Sequence, residues 1–205
     1  MIRVFLAGEG PNDIGDWARH RSYRDDSPSP GVPEAILRKV RGDGWRVCGA
    51  VLWKKIHKLQ VRPPAGAETK NVLGAALAAR DAGCDVLVFV RDRDDSNANP
   101  RKERERDIEQ GIARVPQDVS DQLRIVGGVA IRRLESWIVA LSGKNGSEEM
   151  RRPEDALREL GIGDKSTGDM VEFVQDKVDL ANVPSDARSL RRWLERGRDA
   201  LCRSR

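Results

Sequence analysis

Four apolar runs of strand length recur along the chain, and a segment with helical character follows each of them. The runs span residues 2–7, 45–53, 85–90 and 123–130. Their β-branched and aromatic residues predict buried strands. The intervening patterns predict helices over residues 34–41, 68–82, 101–112 and 131–141. This alternation predicts an α/β fold with a mainly parallel, Rossmann-like sheet and helices on both faces.

The remaining segments predict one long loop and a helical tail. Residues 11–33 contain four prolines and many charges, which favours a loop with a short helix near residues 14–19. Helices are predicted at 153–160, 167–178 and 189–202. We therefore expect an α/β domain over residues 1–145 and a helical C-terminal extension over residues 146–205, which suits a chain of 205 residues.

Acidic side chains follow two of the predicted strands. Glu9 and Asp13 come after the first run, in Gly-Glu-Gly-Pro-Asn-Asp, and Asp92 and Asp94 come after the third. Strand ends of a parallel sheet face the crevice where ligands bind. Carboxylates gathered there repel each other unless a cation joins them, so the pattern predicts a metal site. Ordinary turn chemistry around Asp13 and a solvated charged loop after the third run are the structural alternatives.

A further carboxylate lies within the predicted helix 131–141. Ile131, Leu134, Ile138 and Leu141 form its apolar stripe, and Glu135 lies on the same side. An inward-facing carboxylate needs a partner. That partner is either a basic side chain or a metal ion shared with the other acidic residues.

Composition limits the classes of partner. Charged residues make up 34% of the chain and the formal net charge is +4, a mild basic excess that permits a polyanionic partner without proving one. No serine has a histidine–acid setting, so serine hydrolysis is not expected. No apolar stretch approaches membrane-spanning length, and the first segment is a strand rather than a signal peptide, which together predict a cytoplasmic protein without membrane contact.

The three cysteines are widely separated. Cys48 and Cys84 lie in or beside apolar strand-like runs and are interpreted as small buried hydrophobic residues, and Cys202 lies near the end of the chain. Because no Cys-x-x-Cys pair is present, neither a zinc site nor a disulfide framework is expected.

The Gly-Glu-Gly turn, the Asp92-x-Asp94 pair and the Leu-Glu-Ser-Trp segment around Glu135 together resemble a Toprim domain. They are most similar to the small Toprim proteins related to the overcoming-lysogenization-defect nucleases. The resemblance covers roughly the first 140 residues and depends on the order and spacing of short motifs. It differs in Arg93, a bulky cation within the Asp-x-Asp pair, and in lacking the ATPase domain of the larger family members.

The resemblance implies a compact parallel α/β fold, Mg²⁺ or Mn²⁺ as cofactor, and phosphodiester chemistry. Glu9 would act as acid/base or metal ligand, and Asp92 and Asp94 would bind the metal. Glu135 and Asp13 would supply a second metal position. Two metal ions roughly 4 Å apart activate the attacking oxygen and stabilise the leaving one. Lys54, after the second strand, is a candidate to offset charge on the scissile phosphate, with a solvated loop as its alternative.

Three functional hypotheses follow. The first is a metal-dependent nuclease cleaving DNA or RNA, in anti-phage or anti-plasmid defence beside a separately encoded ATPase. The second is a weakly active or inactive accessory subunit that binds nucleic acid or protein. The third is phosphoryl transfer of the dehalogenase or receiver type, which fits poorly because the first strand ends in Glu9 rather than aspartate. The helical tail could pair with a second copy of the chain, cap the sheet or hold a partner.

Overall fold

The strands form one parallel sheet in a computed structural model that describes residues 1–18, 29–57, 59, 62–93, 100–163 and 166–202. The strands are β1 (Ile2–Gly8), β2 (Trp45–Leu52), β3 (Val86–Arg93) and β4 (Arg124–Ile131). Their order is β2-β1-β3-β4, and each neighbouring pair is parallel. The predicted α/β class with a mainly parallel sheet is confirmed. β3 continues to Arg93, so Asp92 lies within the strand rather than in a loop after it.

The helices lie close to the predicted positions, with two differences near the carboxyl edge of the sheet. Their bounds are α1 (Pro11–Ile14), α2 (Val32–Val40), α3 (Ala67–Asp81), α4 (Pro100–Ala113), α5 (Gln117–Ser120), α6 (Leu134–Leu141), α7 (Pro153–Glu159), α8 (Thr167–Lys177) and α9 (Arg188–Cys202). Helical structure begins at Pro11, earlier than the short helix expected within the long loop, because proline suits the first turn of a helix. α6 begins three residues later than predicted because Ile131 belongs to β4.

The two faces of the sheet pack against different helices. Val4 and Leu6 of β1 join a core formed with α2, α6, α8 and α9. Phe5 and Ala7 point to the opposite face and pack with α3, α4 and α5. Alternation along a strand sends neighbouring side chains to opposite faces, and burial on both faces explains why these strands are almost continuously apolar.

The C-terminal helices share the first of these cores. Trp193 of α9 is buried, donates a hydrogen bond from Nε1 to the carbonyl oxygen of Phe89 at 3.2 Å, and packs against Trp137 with ring centroids 5.4 Å apart. The boundary at residue 145 stays a prediction, but the tail packs directly against the sheet. No helix in the described part of the chain has both the length and the apolar character needed to cross a membrane.

The expectation that Cys48 and Cys84 are unlinked was wrong. Their sulfur atoms form a disulfide between residues 36 positions apart in the chain. In the β1–β2 register, Val47 pairs with Val4 and Gly49 with Phe5, so Cys48 is the extra residue of a β-bulge. Cys84 precedes β3, the other neighbour of β1. The pairing depends on strand order and on the bulge, which residue spacing does not reveal.

Loss of this disulfide should destabilise the protein. We expect Cys48→Ser to lower the free energy of unfolding by about 2–4 kcal/mol, because the cross-link restricts the unfolded chain. Urea unfolding with and without reductant measures this difference, and reduced wild type should match the variant. Cys202→Ser is the control, since Cys202 is free and exposed. Three alkylatable thiols in non-reduced wild type would contradict the disulfide.

Candidate functional site

The carboxyl ends of β1 and β3 meet the beginning of α6 around an open cavity of about 320 Å³. Four predicted acidic residues line it together with the turn after β1. The described lining residues are Glu9, Gly10, Pro11, Asn12, Asp13, Asp92, Leu134 and Glu135. Parallel pairing of β1 with β3 brings these strand ends side by side, although 79 positions separate Asp13 from Asp92 in the sequence. We call this arrangement the acidic cavity.

Asp13 is fixed by the turn that precedes it. Its Oδ2 accepts hydrogen bonds from the backbone N–H groups of Glu9 at 2.6 Å and Gly10 at 3.3 Å. The carboxylate also packs tightly against Gly8, where a Cβ atom would lie 2.3 Å from the Cβ of Asp13. Gly8 is therefore needed for close approach, and Asp13 is held by the backbone rather than by a basic side chain.

The environment of Asp13 favours its protonated form. The pKa of Asp13 is raised from 3.8 to about 7: burial is the largest cause, the hydrogen bond from the N–H of Gly10 lowers the pKa, and the negative charge of Glu135 raises it. A carboxyl group with a pKa near neutrality in a cleft is a candidate functional group.

The side chain of Asp92, in β3, contacts the beginning of α6. Its Oδ1 accepts a hydrogen bond from the backbone N–H of Leu134 at 2.9 Å. The first N–H groups of a helix lack partners within the helix and attract negative charge. This contact fixes one carboxylate oxygen and orients the side chain at the cavity wall.

Glu135 faces inward, as predicted, but for a different reason. All residues of α6 are buried, so no single apolar stripe determines its direction. Glu135 is 6% exposed, and it accepts no hydrogen bond from the residues that the structure describes. The negative charge of Glu135 repels that of Asp13. The negative charge of Glu135 therefore favours a proton or a cation at Asp13.

Glu9 lies at the rim of the acidic cavity and forms an ion pair with Arg91 of β3. The Glu9 side chain is 46% exposed, whereas that of Arg91 is 8% exposed. β3 extends past Arg91 and buries it, so Arg91 does not belong to the solvated charged loop that was the structural alternative after the third run. Glu68 pairs with Arg91, and Arg104 pairs with Glu68. Sequence reasoning missed both; an arginine directly after an apolar run was the available signal.

Of the other predicted site residues, Lys54 does not line the described part of the cavity. Lys54 is exposed in a short 3₁₀ turn, Trp53–Lys55, that follows β2. Asp94 lies outside the described residues. Asn12, which was not predicted, lines the cavity and accepts a hydrogen bond from the hydroxyl of Thr167 at the start of α8. The C-terminal helices therefore reach the turn that carries Glu9 and Asp13.

The carboxylates of the acidic cavity suit a hard divalent cation in their chemistry. Carboxylate oxygens are the preferred ligands of Mg²⁺, and a cation would offset the repulsion that raises the pKa of Asp13. In the structure, however, no three carboxylate, thiolate or imidazole groups of the described residues lie close enough together to hold a metal ion.

Comparisons with known proteins add no family assignment. No protein-family model, curated protein or solved structure matches this chain. The Toprim resemblance therefore depends on the residues themselves.

The raised pKa of Asp13 predicts a specific dependence of stability on pH. The folded state retains the proton to about pH 7, whereas the unfolded chain releases it near pH 3.8, so the free energy of unfolding falls as pH rises through this window. Asp13→Asn should remove roughly 3–4 kcal/mol of this decrease between pH 4 and pH 7, because one unit of pKa difference corresponds to about 1.4 kcal/mol. Urea unfolding between pH 4 and pH 7, with chelator present, measures the difference.

Glu135→Gln provides the matched control for this prediction. Removing the charge of Glu135 should make the decrease smaller but not abolish it, because burial is the larger cause of the raised pKa. Identical pH profiles for wild type and Asp13→Asn would contradict the assignment.

Proposed function

We propose that the chain is a metal-dependent phosphodiesterase that cleaves DNA or RNA, with the acidic cavity as its active site. The observation that carries this proposal is the meeting of Glu9, Asp13, Asp92 and Glu135 around one open cavity at the carboxyl edge of a parallel sheet. Carboxylates gathered from separate strand ends are typical of sites that bind Mg²⁺ or Mn²⁺. The resemblance to Toprim nucleases supports the same chemistry.

The acidic residues of the cavity have different proposed roles according to their positions. Asp13, Asp92 and Glu135 line the cavity and would hold the cation through carboxylate oxygens. When bound, a divalent ion lowers the pKa of an attacking water and offsets charge on the phosphate. Glu9, at the partly exposed rim, can accept or donate a proton where substrate enters. Asp13 can exchange a proton near neutral pH, so its protonation would compete with cation binding.

Substitution of Asp92 tests this function. Asp92→Asn keeps an oxygen that can accept the N–H of Leu134 while removing the negative charge. We expect Mn²⁺-dependent cleavage to fall by at least about 100-fold, at or beyond the upper end of the 10–100-fold loss typical of residues that only support a metal ligand. Plasmid and single-stranded DNA and RNA, incubated with Mn²⁺ or with chelator, provide the measurement.

Asp155→Asn is the matched control, since Asp155 is an aspartate that pairs with Arg152 and Arg158 on α7. Cleavage by this variant should equal that of wild type. Full activity of the Asp92→Asn or Glu9→Ala protein would end the proposal. The role in anti-phage or anti-plasmid defence with a separate ATPase remains part of this proposal.

An accessory subunit that binds nucleic acid without cleaving it is the second candidate. Two observations favour it: Glu9 is already neutralised by Arg91, and Asp92 is engaged by the beginning of α6. This function predicts nucleic-acid binding that is unaffected by chelator and survives the Asp92→Asn substitution. Fluorescence anisotropy with labelled DNA and RNA distinguishes it from the nuclease.

A further inference from the structure

Arg91 is an unusual residue for its position, because it is a cation buried near the carboxyl end of β3, an inner strand of the parallel sheet. The residue is 7% exposed, and its guanidinium lies 5.0 Å from the ring centroid of Trp53. Burial of a charge is costly unless ion pairs and hydrogen bonds compensate it. Arg91 meets this requirement with two carboxylates on different elements, Glu9 after β1 and Glu68 on α3.

Glu68 of α3, which does not line the acidic cavity, holds the guanidinium of Arg91. Its carboxylate accepts hydrogen bonds from Arg91 Nη2 at 2.9 Å and Nε at 3.3 Å, and from Trp53 Nε1 at 2.8 Å. Arg104 Nε lies 3.3 Å from the same carboxylate. A planar guanidinium fixed by two of its nitrogen atoms has a defined orientation.

The remaining nitrogen of Arg91, Nη1, contacts Glu9 at the cavity rim. The same cluster also reaches the neighbouring site residue, since Arg104 donates a hydrogen bond from Nη1 to the carbonyl oxygen of Asp92. A side chain as exposed as that of Glu9 would otherwise sample several rotamers. The position of its carboxylate therefore depends on Arg91.

We propose that Arg91 is a positioning residue that holds the ionised Glu9 carboxylate at the mouth of the acidic cavity, with Glu68 fixing Arg91 in turn. This inference rests on the proposed function of the cavity. Arg91 contacts neither substrate nor cation; it acts through Glu9. Its positive charge also lowers the cost of keeping Glu9 ionised beside Asp13, Asp92 and Glu135.

The chain contains a matched control on the other side of the sheet. Arg38 stacks over the ring of Trp45 at 3.7 Å and pairs with Glu34 at 3.3 Å, so it repeats the combination of tryptophan and glutamate partners. Arg38 does not line the acidic cavity. Arg38→Met should therefore destabilise the fold through the same kinds of lost contact as Arg91→Met, without affecting the acidic cavity.

The test compares wild type, Arg91→Met, Glu9→Gln, the double variant and Arg38→Met by Mn²⁺ binding, cleavage kinetics and urea unfolding. Bound Mn²⁺ is counted by electron paramagnetic resonance. We expect Arg91→Met to weaken Mn²⁺ binding or lower kcat by about 10–100-fold, as for residues that orient a ligand, with KM for nucleic acid unchanged. The double variant should be no worse than Glu9→Gln, and Arg38→Met should match wild type in binding and kinetics.

Each alternative result overturns the inference. Wild-type Mn²⁺ binding and kcat in Arg91→Met, losses that add to those of Glu9→Gln, or a raised KM would show that Arg91 does not act through Glu9. If wild type neither binds Mn²⁺ nor cleaves, the proposed function fails instead. The double-mutant cycle in unfolding free energy then decides: coupling between Glu9 and Arg91 supports the positioning role, and additivity overturns it.

Discussion

Mutual repulsion among carboxylates gathered at one edge of the sheet is the constraint on which the candidate site depends. Glu9, Asp13, Asp92 and Glu135 line one cavity, and the chain relieves their repulsion in different ways. Arg91 neutralises Glu9, the beginning of α6 accommodates Asp92, and the raised pKa of Asp13 allows a proton to take the place of a cation. A site built this way responds strongly to any added positive charge.

The fold supplies the rigidity that such a concentration of charge requires. β1 and β3 lie side by side within the sheet, and each is buried on both faces. α9 packs against the sheet through Trp193, and α8 reaches the turn after β1 through the contact between Thr167 and Asn12. The C-terminal helices therefore support the turn that carries Glu9 and Asp13, in addition to covering the sheet.

Arg91 of the sheet and Glu68 of the helix layer connect these two layers to the acidic cavity. Glu68 lies in the first turn of α3, Arg91 in β3 and Arg104 in α4. Arg91 pairs with the side chain of Glu9, Arg104 donates a hydrogen bond to the backbone of Asp92, and Glu68 pairs with both arginines. The ion pair between Arg91 and Glu68 is largely shielded from water, so its geometry is more sharply defined than that of surface pairs such as Lys144 with Glu159. Substitutions in this cluster would change the geometry of the cavity as well as the packing of the core.

The sequence by itself determined the α/β class, the approximate bounds of the strands and the acidic residues that meet at the cavity. Periodicity and apolar runs reflect local burial, and strand ends of a parallel sheet always share one edge. The tertiary structure alone decided that Cys48 pairs with Cys84, that β3 extends to bury Arg91, and that Glu68 and Arg104 complete its surroundings. These contacts depend on strand order, on a β-bulge and on helix packing, which join residues far apart in the chain and leave no periodic signal.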